Sequence, residues 1–399
     1  MTCPRILFLV ANDWYFYWHR AALAQRIAAA GYDVHVATPD GPYCAAIKSA
    51  GLHHHVIEMD RRGLNPLRDV AMIKRLVDLY RVLKPQLVHH VAIKPIIYGS
   101  IAAKITRVPA MVNAMPGMGY VFVSNELLAR TLRPVVTTAF RHLLNAANSR
   151  LVLENGDDMQ TWISRGVVRP DRVEVIHGCG VDTNQFRPTP EPPGPPLVIL
   201  PARLLFAKGI AEFVAAARLL RQRSVTARFA LVGGDLLGNP DSIPTRKLAE
   251  WQAEGVVELL GWHDDMPGLI AKSHIVCLPS YAEGLPRALL EAASCGRPIV
   301  ATDVSGCRDV VRDGVNGLLV PAHQAAPLAE ALARLIADAP LRQAMGARGR
   351  AIVLAEFSVE RVAAETLRLY ADLIGTNVAQ ETSALASIAG GAWDGESKS

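Results

Sequence analysis

The 399 residues are 50% hydrophobic and 20% charged, which is enough apolar material for two packed domains and excludes a single small module, a disordered chain, a coiled coil and a mucin-like stalk. The formal net charge of +5 divides unevenly, with +8 on residues 1–190 and −3 on residues 191–399. A basic first half suits an anionic partner, such as a phosphorylated ligand or an acidic lipid surface.

Short apolar runs alternate with amphipathic stretches through the first half of the chain. The run at 6–10 has no small-residue cleavage site after it, so we interpret it as a buried strand and not as a secretion signal. Helical spacing is found at 20–30 and 66–83. The predicted strands of this half are 6–10, 33–37, 87–90, 110–114, 150–153 and 173–176.

A proline-rich segment, 188–196, interrupts this alternation and is predicted to be a linker. Beyond it the alternation resumes, and we predict an α/β fold of two Rossmann-like, doubly wound lobes, 1–187 and 197–357, facing an interdomain cleft. A helix over 358–375 and a disordered tail, 376–399, are predicted to follow. The predicted strands of the second lobe are 197–201, 227–232, 257–260, 275–278 and 298–301.

The cysteines show no metal-binding or disulfide pattern. No Cys-x-x-Cys pair and no Cys/His spacing of the zinc type occurs, so we interpret the cysteines as reduced, cytosolic thiols. No apolar stretch approaches the roughly 18 to 20 residues that cross a bilayer, which predicts a protein that is soluble or lies on a membrane surface. The six cysteines are Cys3, Cys44, Cys179, Cys277, Cys295 and Cys307.

The loop after the first strand lacks the glycines of a dinucleotide-binding site. Residues 11–15 read Ala-Asn-Asp-Trp-Tyr, where a dehydrogenase needs Gly-x-Gly-x-x-Gly for its backbone to approach a pyrophosphate. The chain also contains no Walker loop. These observations argue against a dehydrogenase and against a P-loop enzyme.

Two cations follow the first strand of the second half. Arg203 and Lys208 lie on a predicted strand-to-helix turn, where a guanidinium can grip phosphate oxygens and an ammonium adds a point charge. Each such contact contributes roughly 1.5 to 3 kcal/mol. Cations near a helix start are more often simply solvated, so this pair alone does not identify a site.

Two glutamates follow a later strand, around a glycine loop. Glu283 and Gly284 lie in the loop, and Glu291 lies about a turn and a half into the helix that begins near Pro286. Both carboxylates can face one cleft, and free backbone donors at the helix start can meet a phosphate. Such a pair is more often surface charge, but the apolar neighbours of Glu291 favour a hydrogen-bonded role.

Two further strand ends carry weaker signals. Gly233 and Gly234 end one predicted strand, where the lack of side chains lets a ligand approach the backbone. Residues 257–260 form another predicted strand, followed by Gly261 and Trp262, and its end can pair its backbone with the edge of a nucleotide base.

In their order and spacing, these segments resemble the retaining glycosyltransferases of family 4, which have the GT-B fold of two Rossmann-like lobes. The resemblance runs from Ile6 to about Ile374 and includes the glycine-containing segments 175–182 and 301–319. It implies a nucleotide-sugar donor and a terminal helix that packs back on the first lobe. It also implies that the first lobe, 1–187, binds the acceptor.

The resemblance implies catalytic roles for Arg203, Lys208 and Glu283. The two cations would stabilise the departing diphosphate, Glu283 would contact the transferred sugar, and Glu291 would hold the ribose hydroxyls. The segment 257–259 would hold the uracil of a UDP sugar. The residues expected to contact the donor are Arg203, Lys208, Gly233, Gly234, Val257, Glu258, Leu259, Glu283, Gly284, Leu285 and Glu291.

No cofactor and no metal ion are expected besides the donor. Asp264-Asp265 is not the metal-binding Asp-x-Asp pattern, and similar enzymes of this fold generally need no divalent ion. Retention of configuration is compatible with two mechanisms. Double displacement requires a carboxylate close to the anomeric carbon, whereas same-face attack is steered by the departing phosphate.

One departure from the family concerns the first lobe. Many relatives carry a histidine before a glycine in the loop after the fourth strand, where this chain has Pro116. The acid-base or positioning role of that histidine therefore has no obvious holder. His19, His90 and Lys94 are substitutes by location only, and we expect the histidines to be structural or solvated.

The loop 117–122, together with Asn12-Asp13 and His19-Arg20, resembles the bacterial branch that extends undecaprenyl-diphosphate-linked sugars. This implies a nucleotide-linked hexose or N-acetylhexosamine as donor, such as UDP-N-acetylgalactosamine or UDP-N-acetylglucosamine, and a lipid-linked sugar as acceptor. It also implies a place on the inner face of the cytoplasmic membrane and no nucleic-acid partner. The oligomeric state is left open. Residues expected near anionic lipid are Arg61, Arg62, Arg68, Lys74, Arg75, Arg81, Lys84, Arg130, Arg133 and Arg141, beside Leu127, Leu128, Leu132 and Phe140.

Two other functions are compatible with a two-lobed architecture. A UDP-sugar 2-epimerase would form its product without an acceptor, although the cations at 203 and 208 and the glutamates at 283 and 291 argue against it. A non-catalytic sugar-binding protein of periplasmic-receptor shape would require an export signal, which the sequence does not show.

Overall fold

The structure is a computed structural model in which the chain divides into two compact units. Among the described residues, one unit contains those of 3–180 together with 359–375, and the other contains those of 181–358. The predicted tail, 376–399, and the arginine pair at 61–62 lie outside the described residues. The described residues are 3–59, 65–123, 126–234, 239 and 241–375.

The first unit is built on a seven-stranded parallel sheet. Its strands are β1 (Arg5–Val10), β2 (Asp33–Thr38), β3 (His53–Val56), β4 (Leu87–Val91), β5 (Ala110–Met115), β6 (Ser149–Leu153) and β7 (Val173–Val175). They are arranged in the order β3-β2-β1-β4-β5-β6-β7. The edge strand β3 was not predicted, because its three histidines and partly exposed positions lack an apolar run.

Helices cover both faces of this sheet, as a parallel sheet requires. Their apolar residues pack in separate clusters against the strands. Asn65 caps one helix by accepting hydrogen bonds from the backbone N–H groups of Leu67 and Arg68. The helices are α1 (Asp13–Ala29), α2 (Cys44–Ser49), α3 (Pro66–Leu83), α4 (Ile93–Thr106), α5 (Tyr120–Val123), α6 (Leu127–Leu144) and α7 (Gly156–Ser164).

The second unit is built on a six-stranded parallel sheet. Its strands are β8 (Leu197–Pro201), β9 (Arg228–Val232), β10 (Glu258–Gly261), β11 (Ile275–Leu278), β12 (Ile299–Thr302) and β13 (Gly317–Val320). They are arranged in the order β10-β9-β8-β11-β12-β13. The expectation of two Rossmann-like parallel lobes is therefore confirmed, with β13 as an additional strand.

The last helix of the chain belongs to the first unit. Val362, Leu367 and Tyr370 are buried in the same apolar cluster as Phe8, and the Tyr370 hydroxyl lies 2.5 Å from Nδ1 of His89. The expected return of the terminal helix to the first lobe is confirmed. The remaining helices are α8 (Ile210–Gln222), α9 (Thr245–Ala253), α10 (Met266–Ala271), α11 (Arg287–Ser294), α12 (Ser305–Val310), α13 (Ala325–Ala337), α14 (Ala339–Ile352) and α15 (Val359–Ile374).

The proline-rich segment 188–196 is bound to the second unit. Glu191 accepts two hydrogen bonds, at 2.9 and 2.8 Å, from the buried guanidinium of Arg342. The buried Arg297 donates to the backbone carbonyl and side-chain hydroxyl of Thr189, both at 2.9 Å. The boundary between the units therefore lies at Gly180 and not at the expected linker, because two buried arginines hold that segment in place.

Candidate active site

The second sheet changes winding direction between β8 and β11. These strands are neighbours, and the chain continues from β8 to β9 on one side and from β11 to β12 on the other. In open α/β sheets, ligands bind outside the carboxyl ends of the strands at such a switch point. The loops at 202–209 and 279–286 leave these two carboxyl ends. They contain five of the predicted site residues, Arg203, Lys208, Glu283, Gly284 and Leu285.

The structure brings Lys208 and Glu283 together at this position. The Lys208 ammonium Nζ lies 2.5 Å from Oε1 of Glu283, and their side chains are 16% and 11% exposed. Backbone and hydroxyl contacts hold the two loops in register. The N–H of Tyr281 donates to the Ala207 carbonyl at 2.9 Å, and the Ser280 hydroxyl donates to the same carbonyl at 3.1 Å.

A glycine allows this close approach of the two loops. Gly209 has a φ of 68° and is placed so that a Cβ atom would lie 1.9 Å from the carbonyl oxygen of Pro279. No side chain can occupy that space unless the backbone moves. Gly209 therefore determines where Lys208 can lie relative to Glu283.

Replacing Gly209 with alanine is expected to destabilise the fold by about 2–5 kcal/mol, from left-handed backbone strain and overpacking together. Gly255→Ala is a matched control, because Gly255 has a φ of 65° and its Cβ would meet nothing within 4 Å. Its expected cost is about 1–2 kcal/mol. Urea unfolding of both variants measures the difference. Equal losses would show that the contact with Pro279 carries no energy.

A second glycine supports the loop that carries Glu283. A Cβ on Gly306, at the start of α12, would lie 2.1 Å from the Gly284 carbonyl oxygen and 2.8 Å from that of Glu283. The loop carbonyls thus rest directly on the α12 backbone. The Thr302 hydroxyl also donates to the Ser280 carbonyl. These supports lie within the predicted segment 301–319, but the sequence did not identify what they contact.

Glu291 lies in the second turn of α11 and is 7% exposed. Its Oε1 accepts a hydrogen bond from Nε of Arg287 at 2.7 Å, across one helical turn. Burial raises the pKa of the Glu291 carboxyl, and the charge of Arg287 opposes that shift. The sequence did not identify Arg287 as a partner.

The two predicted cations differ in their exposure to solvent. Arg203 is exposed in the loop after β8, whereas the side chain of Lys208 is mostly buried.

The double glycine after β9 contacts the loop that carries Arg203. A Cβ on Gly233 would lie 1.9 Å from the Ala202 carbonyl oxygen, and the Leu204 N–H donates to the Gly234 carbonyl at 3.3 Å. The two strand ends are therefore packed backbone against backbone.

The segment expected to hold the base, 257–259, lies at the start of β10 and not at its carboxyl end. Val257 precedes β10 and is buried in the core. The Glu258 carboxylate accepts hydrogen bonds at 2.8 and 2.7 Å from Arg228, the first residue of β9. Neither side chain is thus directed to the carboxyl ends of the strands, because β10 begins only at Glu258. Those ends instead carry Gly261 and Trp262, whose indole is 57% exposed.

Trp262 lies beside the double glycine. A Cβ on Gly234 would come within 3.9 Å of the indole, and the indole N–H donates to Oδ1 of Asp264 at 2.8 Å. An exposed aromatic face at the carboxyl edge of the sheet can stack on a nucleotide base.

In the first unit, His90 is a structural residue. It is fully buried, and its Nδ1 and Nε2 lie 2.8 Å from Oδ1 of Asn113 and 3.1 Å from the Tyr80 hydroxyl. Burial lowers the pKa of His90 to about 4. A Cβ on Gly99 would lie 2.4 Å from the His90 ring, so this ring is enclosed. His90 does not replace the histidine absent at Pro116.

Two other features mark the carboxyl end of β4, beside the switch point of the first sheet. Ala92 has a φ of 80°, a backbone region that favours glycine. Strain of this kind concentrates at functional positions. Lys94 follows at the start of α4, with its Nζ 3.8 Å from Oδ1 of Asp69.

His19, the third substitute considered from the sequence, lies on α1. Its ring stacks on that of Tyr15, with ring centroids 4.5 Å apart.

Comparison with known proteins agrees with this architecture. The family described as "Glycosyl transferase 4-like" matches residues 5–152, and the family described as "Glycosyl transferases group 1" matches residues 195–338. The first match covers most of the first sheet, and the second covers the whole second sheet and the loops of the candidate site. The chain belongs to the family 4 glycosyltransferases. It is a glycosyltransferase with the GT-B fold, as the sequence predicted.

Two bacterial relatives match over most of this glycosyltransferase. The N,N'-diacetylbacillosaminyl-diphospho-undecaprenol alpha-1,3-N-acetylgalactosaminyltransferase of Campylobacter jejuni is 27% identical, with 92% of this chain and 98% of the relative covered. The UDP-Gal:alpha-D-GlcNAc-diphosphoundecaprenol alpha-1,3-galactosyltransferase of Escherichia coli is 26% identical, with 77% and 82% covered. The crystal structure of Anabaena HepE with UDP and glucose shares the fold, with a TM-score of 0.76, 22% identity and coverage of 92% and 100%.

Proposed function

We propose that this glycosyltransferase moves an N-acetylhexosamine or hexose from a UDP sugar to a sugar linked through diphosphate to a polyprenyl lipid, with retention of configuration. The observation that supports the use of a UDP-sugar donor is the Lys208–Glu283 ion pair at the switch point of the second sheet. The similarity to the Campylobacter and Escherichia enzymes, both named for diphospho-undecaprenol acceptors, supports the acceptor half.

The positive charge of the Lys208 ammonium suits the chemistry of donor cleavage. Breaking the anomeric bond leaves negative charge on the diphosphate, and a fixed ammonium nearby stabilises that charge in the transition state. Glu283 holds the Lys208 ammonium in position, because the two side chains are mostly buried and in direct contact. Arg203, exposed in the neighbouring loop, adds a second cation when the donor is bound. We propose that this chemistry requires no metal ion.

The test is a donor screen with purified protein and a synthetic undecaprenyl-diphosphate-linked sugar. Mass spectrometry reads the added sugar, and NMR reads the anomeric configuration of the product. Transfer from a UDP sugar with retention, undiminished by EDTA, is the expected result. A reaction of UDP-N-acetylglucosamine alone, without acceptor, would instead indicate an epimerase. No transfer to any lipid-diphosphate sugar would contradict the acceptor assignment.

We further propose that the first unit rests on the inner face of the cytoplasmic membrane. Within the described residues, no helix is both long and apolar enough to cross a membrane, so contact would be made at the surface. On α3, Leu67 and Val70 are 82% and 66% exposed, and Lys74 and Arg75 are exposed one turn further along the same face. An apolar patch followed by basic residues is typical of an interfacial helix.

The contribution of α6 is smaller than expected. Leu127 and Leu128 are 77% and 49% exposed beside the exposed Arg130. Phe140, however, is fully buried and cannot contact lipid. Arg141 donates to the Gly166 carbonyl at 2.9 Å, and Arg133 likewise donates to the Val121 carbonyl at 2.9 Å. The guanidiniums of Arg133 and Arg141 therefore stabilise neighbouring backbone segments by donating hydrogen bonds to carbonyl oxygens.

Replacing Leu67 and Val70 with glutamine is expected to weaken binding to anionic vesicles severalfold, because two exposed apolar contacts are lost. Sedimentation with phosphatidylglycerol vesicles measures the change, and binding should also fall with added salt. Leu354→Gln is the matched control, since Leu354 is 49% exposed in the second unit. Equal binding to zwitterionic and anionic vesicles would contradict an electrostatic contact.

A further inference from the structure

Four residues capable of ligating a metal lie on one face of the edge of the first sheet. Asp33 and His35 are two residues apart on β2 and therefore share a face. In the parallel pairing of β2 with β3, His35 lies opposite His53, and His55 follows two residues later. The rings of His35 and His53 stack with centroids 4.7 Å apart.

The side-chain atoms converge on one oxygen. Nε2 of His35 lies 3.1 Å from Oδ1 of Asp33, and Nε2 of His53 lies 3.5 Å from the same oxygen. All three atoms lie within 4.8 Å of one another. A tetrahedral zinc site with bonds of 2.0–2.2 Å separates its ligand atoms by about 3.3–3.5 Å. The observed separations approach that geometry before any side chain has moved.

Two neighbouring side chains orient these ligands. Nδ1 of His35 lies 2.8 Å from Nε2 of His55, so donation from His35 to His55 leaves the lone pair of His35 Nε2 directed to the cluster. The Arg5 guanidinium donates to Oδ2 of Asp33 at 2.8 Å and leaves Oδ1 available. Metal-binding histidines and carboxylates usually have partners of this kind on their other atoms.

One buried atom of the cluster meets its nearest polar partner in a poor hydrogen-bonding orientation. His35 is 7% exposed, and among the described residues its Nε2 has no hydrogen-bond partner of acceptable geometry, although it lies near Oδ1 of Asp33. Buried polar atoms are nearly always satisfied. A cation held between Nε2 and Oδ1 would satisfy both atoms at once.

We propose that Asp33, His35 and His53 form a binding site for a divalent transition metal, with zinc as the best-fitting ion. Imidazole nitrogen with one carboxylate oxygen is a ligand set suited to zinc. The site would join the four-residue edge strand β3 to β2 through their side chains, in addition to the backbone pairing of the two strands. It lies at the amino end of β2, whereas substrates of such sheets bind at the carboxyl ends, so its role is structural.

The test uses full-length protein without an affinity tag, stripped of metal with EDTA. Zinc titration against a chromophoric chelator should show one tight equivalent, and cobalt should give the visible absorption of a tetrahedral site. The melting temperature should rise with zinc. His53→Ala should abolish all three effects, and it is expected to fold because the His53 side chain is 65% exposed. Glycosyl transfer by His53→Ala should equal that of the wild type.

His54→Ala is the matched control from the same strand. His54 faces the other side of the sheet, with Nε2 2.8 Å from the Thr38 hydroxyl and 3.7 Å from Sγ of Cys44, so this variant should still bind zinc. No zinc uptake by the wild type would overturn the proposal. So would undiminished uptake by His53→Ala, or loss of uptake in His54→Ala alone, which would place the metal on the Cys44 face.

Discussion

Replacing Lys208 with methionine is expected to lower kcat about 10²–10³-fold, the usual cost of removing one preorganised electrostatic contact from a transition state. Methionine keeps much of the side-chain volume and removes the charge. In the proposed reaction, the departing diphosphate would then lose the ammonium that is paired with Glu283. Steady-state kinetics with saturating donor and acceptor measure the loss. Lys272→Ala is the matched control, because Lys272 is an exposed lysine of the same unit.

A second variant separates catalysis from folding. Lys208→Met leaves the mostly buried Glu283 carboxylate without its cation, and an unpaired buried charge destabilises a fold. The double variant Lys208→Met/Glu283→Gln removes both charges, so its stability should return toward that of the wild type while activity stays low. If the double variant recovered activity together with stability, the charge of Lys208 would have no catalytic role.

Glu291→Ala is expected to raise the KM for the UDP sugar about 10–100-fold, the equivalent of losing hydrogen bonds to a charged group. Two ribose hydroxyls would donate to the carboxylate, and alanine offers no acceptor. The fold should survive, because Arg287 is partly exposed and can be solvated when its partner is removed. Donor titration by calorimetry, with circular dichroism as a folding check, measures both effects.

The pH dependence of donor binding offers an independent measurement on Glu291. Burial raises the pKa of this carboxyl, so protonation begins at a higher pH than for an exposed glutamate. Because the ionised form is the better acceptor, donor affinity should fall as the pH decreases through that raised pKa. Glu291→Gln should bind weakly and lose this acid limb. If Glu291→Gln still lost donor affinity at low pH, another titrating group would be responsible for that loss.

The loops of the candidate site could be predicted from the sequence, but the contacts between their residues could not. Lys208 and Glu283 each lie in a short loop after an apolar strand, and that local pattern is visible in the chain. Their separation of 2.5 Å depends on β8 pairing with β11. Strand order is a long-range property, so nothing local to residue 208 specifies its neighbour 75 positions away.

Two further predictions differ from the structure, one because of contacts between distant residues and one because of an uncertain strand boundary. The proline-rich segment 188–196 has the composition of a linker, but Arg297 and Arg342 bind it from distant parts of the second unit. Glu258 is the first residue of β10 and not part of its carboxyl end, because a strand end read from an apolar run is uncertain by a few residues. Its carboxylate consequently pairs with Arg228.

The sequence by itself determined the two α/β lobes and the loops that carry the candidate donor site, because strand and helix periodicity and turn glycines act over a few residues. The glycosyltransferase family followed from the resemblance of its motifs, in their order and spacing, to those of that family. Only the tertiary structure decided which of those loops meet, where the units divide, and that His35 and His53 share a face with Asp33. These features depend on the order and register of parallel strands, which join residues far apart in the chain.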